Sequence, residues 1–138
     1  MKSFRALIPI ESSKRQEIID VTGRVEELVA ASGIGEGLAL VHPMHTSCAC
    51  YLSDSDASLT DDLTQLLGRI VPPGSEWRHD RGDDKKNAAG HLKGIILGHH
   101  CVLAVSGGHL DLGTYQTIWY AELDGRREKS ILVKIVGE

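Results

Sequence analysis

A chain of 138 residues fits one domain, taken as 1–138, and is long enough to bury a core without disulfides or a structural metal. Its 19 acidic and 15 basic residues, a net charge of −4, leave no broad basic surface to neutralise phosphates, which excludes nucleic acid as an expected partner. No stretch approaches the about 20 apolar residues of a membrane span, and Arg5 interrupts the short apolar run near the start with no secretory cleavage pattern after it, so a soluble cytoplasmic protein is expected.

Residues 4–10 and 15–20 are short apolar runs separated by Glu11-Ser12-Ser13-Lys14, which predicts two strands joined as a hairpin. Thr22 is positioned to cap a short helix whose stripe is Val25, Leu28 and Val29, ended by Gly33, Gly35 and Gly37. Strands then follow at residues 37–41 and 48–52, flanking a bend from His42 to Ser47. Cys48, Cys50 and Cys101 are odd in number and contain a C-x-C rather than a C-x-x-C. They read as small buried strand residues in a reducing compartment, neither a disulfide framework nor a thioredoxin-like pair.

Ser58-Leu59-Thr60-Asp61 has the form of a capping box, and Leu59, Leu63, Leu66, Leu67 and Ile70 recur at helical spacing until Pro72-Pro73 ends the run. The stretch from His79 to His91 is a charged, glycine-containing loop that opens a further helix, with Asn87 as cap, Leu92, Ile95 and Ile96 facing inward and Gly98 as the stop. Residues 101–105, 109–112, 116–123 and 131–136 read as strands joined by hairpin chemistry, an antiparallel meander. Paired strands around segregated helices, without βαβ alternation, give an α+β class: an antiparallel or mixed sheet sandwich with about three helices. Dinucleotide, Walker and serine-elbow motifs are absent from the sequence.

The chemistry concentrates on histidine. His79 and His91 bracket the polar loop, and His45 sits at a strand end before Thr46 and Ser47. Neutral imidazoles on adjustable loops converge readily on one cation, and three of them leave an open position on zinc or a similar divalent metal. An open position is what catalysis requires. Taken singly, each reads as a surface or hydrogen-bonded histidine before it reads as a ligand, and His42, His99, His100 and His109 receive no assignment. Asp80, Asp83, Asp84 and Glu122 are the acidic groups available as a general base, and spacing selects none of them. His91 falls in the first turn of its helix, beside backbone N–H groups that favour an anion.

The run Gly108-His109-Leu110-Asp111-Leu112-Gly113-Thr114-Tyr115-Gln116-Thr117-Ile118 resembles the YjbQ family, also called UPF0047. The likeness extends through His45-Thr46-Ser47, His79 and its loop, residues 87–93, and Glu122-Leu123-Asp124-Gly125-Arg126-Arg127, so it spans nearly the whole chain in order. Tyr115 stands where the family has Trp, His100 where its motif has Ser, and Ser53-Asp54 where it usually has Asn-Glu. The resemblance implies a homotrimer of α+β subunits with a histidine-rich pocket between subunits, able to hold a metal or an anion. It also implies His45, His79 and His91 as metal ligands and catalytic residues. Family members are labelled secondary thiamine-phosphate synthases, which implies a transferase on phosphorylated small molecules. A non-catalytic trimer that binds a metal or a phosphorylated metabolite is the alternative. Thr46, Ser47, Asn87, Gly113, Thr114 and Gln116 serve either turn and cap chemistry or contact with that ligand.

Overall fold

Period-two burial is clearest at the end of the chain, where Lys129, Ile131, Val133 and Ile135 point inward and the residues between them do not. Strands of this kind assemble into two sheets in a computed structural model that describes residues 1–82, 84–125 and 127–138. Asp83, one of the acidic candidates, and Arg126, part of the family likeness, lie outside the described residues.

The first sheet has the order β1 (Lys2–Glu11), β8 (Glu128–Gly137), β3 (Gly37–Pro43), β5 (Cys101–Ser106), β6 (His109–Leu110). The second has the order β2 (Glu17–Asp20), β7 (Gln116–Glu122), β4 (Cys48–Asp54). All pairings among the described residues are antiparallel. The inner faces share one core that includes Ile8, Val41, Leu103, Ile118, Tyr120 and Val133. At about 1.5–3 kcal/mol for each large apolar side chain taken from water, this interface is the main source of stability. The expected burial of the cysteines holds, and the Cys50 and Cys101 sulfurs meet across it at 3.5 Å as free thiols.

Strand partners differ from the sequence expectation. β1 pairs along its whole length with β8, and β2 pairs with β7, so the Glu11–Lys14 connection crosses between sheets instead of closing a hairpin. At the other end only β5 and β6 form a hairpin, through Gly107 and Gly108 at φ of 58° and 81°. β7 and β8 lie in different sheets, so the meander breaks there. Turn residues specify a reversal of the chain, whereas the partner is chosen by which apolar face must meet which.

Three helices complete the α+β fold. α1 (Thr22–Ser32) buries Val25 and Val29 and ends on Gly33 in the left-handed region. Thr22 does not cap it: its backbone N–H donates to Asp20 and its hydroxyl accepts from the Ile118 N–H of β7. α2 (Ala57–Ile70) is capped by Asp56, which accepts from the Ser58 N–H at 3.0 Å, so the predicted box is displaced by two residues. Of its leucine stripe only Leu67 is buried.

α3 (Ala88–Leu97) turns the opposite way from expectation. Gly90, Lys93 and Gly94 face the protein, while Ile95, 68% exposed, and Ile96 face outward. A Cβ on Gly90 would stand 2.8 Å from the Leu123 carbonyl oxygen, and one on Gly94 3.0 Å from that of Cys48. The helix therefore seats its backbone directly on the ends of β4 and β7, a contact that larger apolar side chains would hold apart.

Candidate functional site

Two connections cross from one sheet to the other beside the start of α3. Residues 44–47 join β3 to β4 and residues 123–127 join β7 to β8. Leu123 N–H donates to the Ser47 carbonyl at 3.1 Å, which fastens the crossings together. Beneath them Glu122 and Lys129, 1% and 3% exposed, form a buried ion pair at 2.5 Å. Lys129 Nζ also donates to Ser47 Oγ at 3.0 Å, and Tyr120 donates its hydroxyl to Glu122 at 2.9 Å. Ser47 is thus held from below by its own side chain.

His45 leaves the first crossing, and its Nε2 accepts the Ser130 N–H at 3.2 Å. When neutral, the ring therefore carries its proton on Nδ1. Burial, then the nearby Lys129 and Arg127 charges, lowers the His45 pKa against the opposing pull of Glu122. His79 lies in the 3-10 turn Arg78–Asp80, with Nε2 3.2 Å from the Asn87 amide oxygen. The orientation of that amide is fixed because Asn87 Nδ2 donates to Asp124 Oδ2 at 2.9 Å, so His79 Nε2 carries a hydrogen. His91 Nδ1 donates to the Thr46 carbonyl at 2.9 Å, leaving the Nε2 lone pair to the neutral ring. The rings of His79 and His91 meet edge to face with centroids 4.8 Å apart.

All three histidines line one cavity of about 550 Å³, together with Thr46, Ser47 and Asn87. Lys85, Arg127 and Lys129 bring positive charge to its wall beside the single carboxylate of Glu128, with Arg127 also paired to Asp124 and Lys129 to Glu122. His79 and His91 also border a second cavity of about 570 Å³ that contains His99, a residue with no sequence assignment, beside Trp77 and Ile95. The two rings are therefore the partition between a polar and a more apolar space.

Shared lining is not shared ligation. Among the described residues no three His, Cys, Asp or Glu side chains gather as a metal-ligand set. His45 has spent its Nε2 lone pair on the Ser130 N–H, and the N–H that its neutral ring retains suits an acceptor rather than a cation. The three histidines of this chain thus do not fit a three-histidine metal centre in this arrangement.

The acidic candidates resolve in part. Glu122 accepts from Tyr120, Lys129 and the Leu123 and Asp124 N–H groups, so it is a structural carboxylate. Asp80 accepts the Ala88 N–H at 3.0 Å and caps α3, the task expected of Asn87. Asp124 was missed by sequence reasoning. It receives Asn87, Arg15 and Arg127, and although burial works to raise its carboxyl, the Asn87 bond and then the Arg127, Arg15 and Lys129 charges hold it below the usual range. Gly113, Thr114 and Gln116 do not join the cavity. Gln116 bonds back to the Gly113 N–H at 2.8 Å at the far end of β7, six extended residues and about 20 Å from Glu122.

The lowered His45 pKa has a signed consequence. The unfolded chain titrates this residue near 6.5, above the folded protein, so stability is complete above that pH and declines as pH falls toward the lower folded value. A His45→Gln variant should show a shallower decline in its urea midpoint between pH 7.5 and 5, and an equal slope would count against the assigned environment.

The sequence model of the family described as "UPF0047 protein YjbQ-like" matches residues 6–138. A UPF0047 protein of Archaeoglobus fulgidus is 38% identical over 127 residues, 92% of this chain and 97% of that one. Another from Methanothermobacter thermautotrophicus is 33% identical over 138 residues, 100% of this chain and 95% of that one. Among solved structures, a YbjQ-like protein of unknown function from Sulfolobus solfataricus superimposes with a TM-score of 0.94 at 33% identity, covering 99% of each chain.

Proposed function

The chain belongs to the UPF0047 YjbQ-like family, and from that premise we propose that the cavity at His45, His79 and His91 binds the phosphoryl group of a small phosphorylated molecule. The observation that carries this reading is the donor arrangement. His45 offers an N–H, and Lys85 and Arg127 supply charge from the same wall. A phosphoryl group brings acceptor oxygens and a charge of about −1.5 to −2, which this lining complements. Thr46, Ser47 and Asn87 orient the histidines, through the bonds of Thr46 and Asn87 to the rings and of Ser47 to the buried lysine beneath.

Binding without turnover is favoured over transfer, because Glu122 and Asp80 are committed to the structure and are not poised as bases. The transferase reading remains specific enough to test. Condensation of a pyrimidine diphosphate with a thiazole phosphate expels pyrophosphate, and the same donors would stabilise its developing charge.

We further propose a homotrimer. Leu7, Leu38 and Val102 are exposed on the outer face of the five-stranded sheet, and Tyr115, 69% exposed, stands in the Gly113–Gln116 turn. Such a turn, distant from its own histidines, would serve the pocket of a neighbouring subunit.

Thermal melts with pyrophosphate, on samples sized by light scattering, test the set. At a hundredfold excess over Kd the wild type should gain about 2.7 kcal/mol, and His79→Ala and His91→Ala should lose the larger part of that gain. A stoichiometric zinc ion lost from both variants would restore the metal reading. No gain with any phosphate in the wild type would sink the proposal, and a monomer would sink the trimer.

A further inference from the structure

Lys93 sits on the inward face of α3, between the two glycines that seat the helix, and is only 7% exposed. Lys129, 3% exposed, is bonded to Glu122 and Ser47, whereas Lys93 has no hydrogen bond or ion pair with any described residue. Burial lowers its pKa. The residue is drawn inward while its ammonium, without an acceptor of its own among the described residues, still opens onto the space beside it, where a ligand oxygen would relieve the cost of its partial desolvation.

Two cavities meet at this side chain, one of about 820 Å³ and one of about 300 Å³, sharing Gln16, Thr64, Lys93 and Leu123 as lining. The larger opens past Arg15, Arg81 and Lys86 and is walled by Val71, Pro72 and Trp77. Among the described residues, the Trp77 indole Nε1 is the one fully shielded side-chain N or O atom without a hydrogen-bond partner. Arg15 and Lys86 are engaged with backbone carbonyls and Asp124, and the shielded indole N–H is closed to a ligand, which leaves Lys93 as the donor facing the groove. Its acids are engaged or at the rim: Asp80 caps α3, Glu17 accepts from Ser13, Glu122 is held by Lys129, and Glu76 and Asp61 are exposed.

We propose that this groove is a second ligand site, separate from the histidine cavity, for a small organic anion whose carboxylate or phosphate oxygen accepts from Lys93 Nζ. The body of the ligand packs on Val71, Pro72 and the Trp77 ring, and Arg81 lies at the mouth to meet a second negative group. The groove and the histidine cavity share no lining residue, so a ligand in one does not touch the other.

Reductive methylation followed by peptide mass mapping reads Lys93 directly. Succinate and citrate form one arm, and phosphate and pyrophosphate the other. Saturation with one class should slow Lys93 methylation at least tenfold while leaving Lys2 and Lys134 unchanged, and should do so equally in His91→Ala. Whichever arm protects identifies the anion as a carboxylate or a phosphate. Lys93→Met should melt above the wild type without anions and gain nothing from them, and Lys93→Arg should keep part of the gain. Lys93 left unprotected by both classes would overturn the proposal. So would protection that vanishes in His91→Ala, or a Lys93→Met variant that melts below the wild type without anions.

Discussion

Replacing Glu122 with leucine is expected to destabilise the protein by about 3–5 kcal/mol, the cost of leaving a buried partner charge uncompensated. Among the described residues Lys129 would keep only the Ser47 hydroxyl at 3.0 Å and its carbonyl at 3.4 Å as hydrogen-bond partners, and the nearby Asp124 carboxylate is already engaged with Asn87, Arg15 and Arg127. The Tyr120 hydroxyl and two backbone N–H groups would lose their acceptor as well. Lys129→Met should be damaging for the mirror-image reason. The double variant Glu122→Leu/Lys129→Met should recover part of the loss, because an apolar pair of similar volume removes both charges at once. Urea midpoints of the four proteins give the coupling energy, and additive single effects would show that the ion pair is not one unit.

Gly90→Ala is expected to cost about 1–3 kcal/mol from overpacking, set against about 1 kcal/mol gained from helix propensity. The overpacking term wins because the new methyl meets the Leu123 carbonyl oxygen at 2.8 Å, a backbone atom at the end of β7 that cannot step aside. The helix must retreat instead and take the adjacent His91 with it, so pyrophosphate-induced stabilisation should fall more than stability does. Gly23→Ala in α1 is the control. Nothing lies within 4 Å of its Cβ position, and the same change there should be neutral or stabilising. Equal urea midpoints for the two variants would mean that α3 does not depend on close approach at Gly90.

Local chemistry was legible where the determinant is local. The leucine spacing of α2, the glycine stop of α1 and the alternation of β8 all follow from short-range pattern. The orientation of α3 did not, because its buried face is made of Gly90 and Gly94, which carry no hydrophobic signal, while Ile95 and Ile96 carry a strong one and face out. A lysine in the midst of that glycine spacing was the available clue. His45, His79 and His91 were brought together by loop placement and family likeness, and they do line one cavity. Their tautomers were beyond the sequence, since each is set by a partner elsewhere in the chain: Ser130, Asn87 and Thr46. Asp124 went unnoticed because its partner Asn87 is 37 positions away. The Gly113–Gln116 turn was grouped with the histidines by resemblance alone, and within the chain the length of β7 holds it apart.

The bonds that shape the histidine cavity have large chain separations: 85 positions for His45 with Ser130, 82 for Ser47 with Lys129 and 45 for Thr46 with His91. Contacts so remote in sequence form only after long loops have closed, so they follow local helices and the β5–β6 hairpin in time. The cavity thus takes shape only with the long-range assembly of the two sheets, whose β1–β8 and β2–β7 pairings reach still farther along the chain, and it is lost when they part. A ligand held there consequently acts as a brake on unfolding and leaves the folding rate almost untouched.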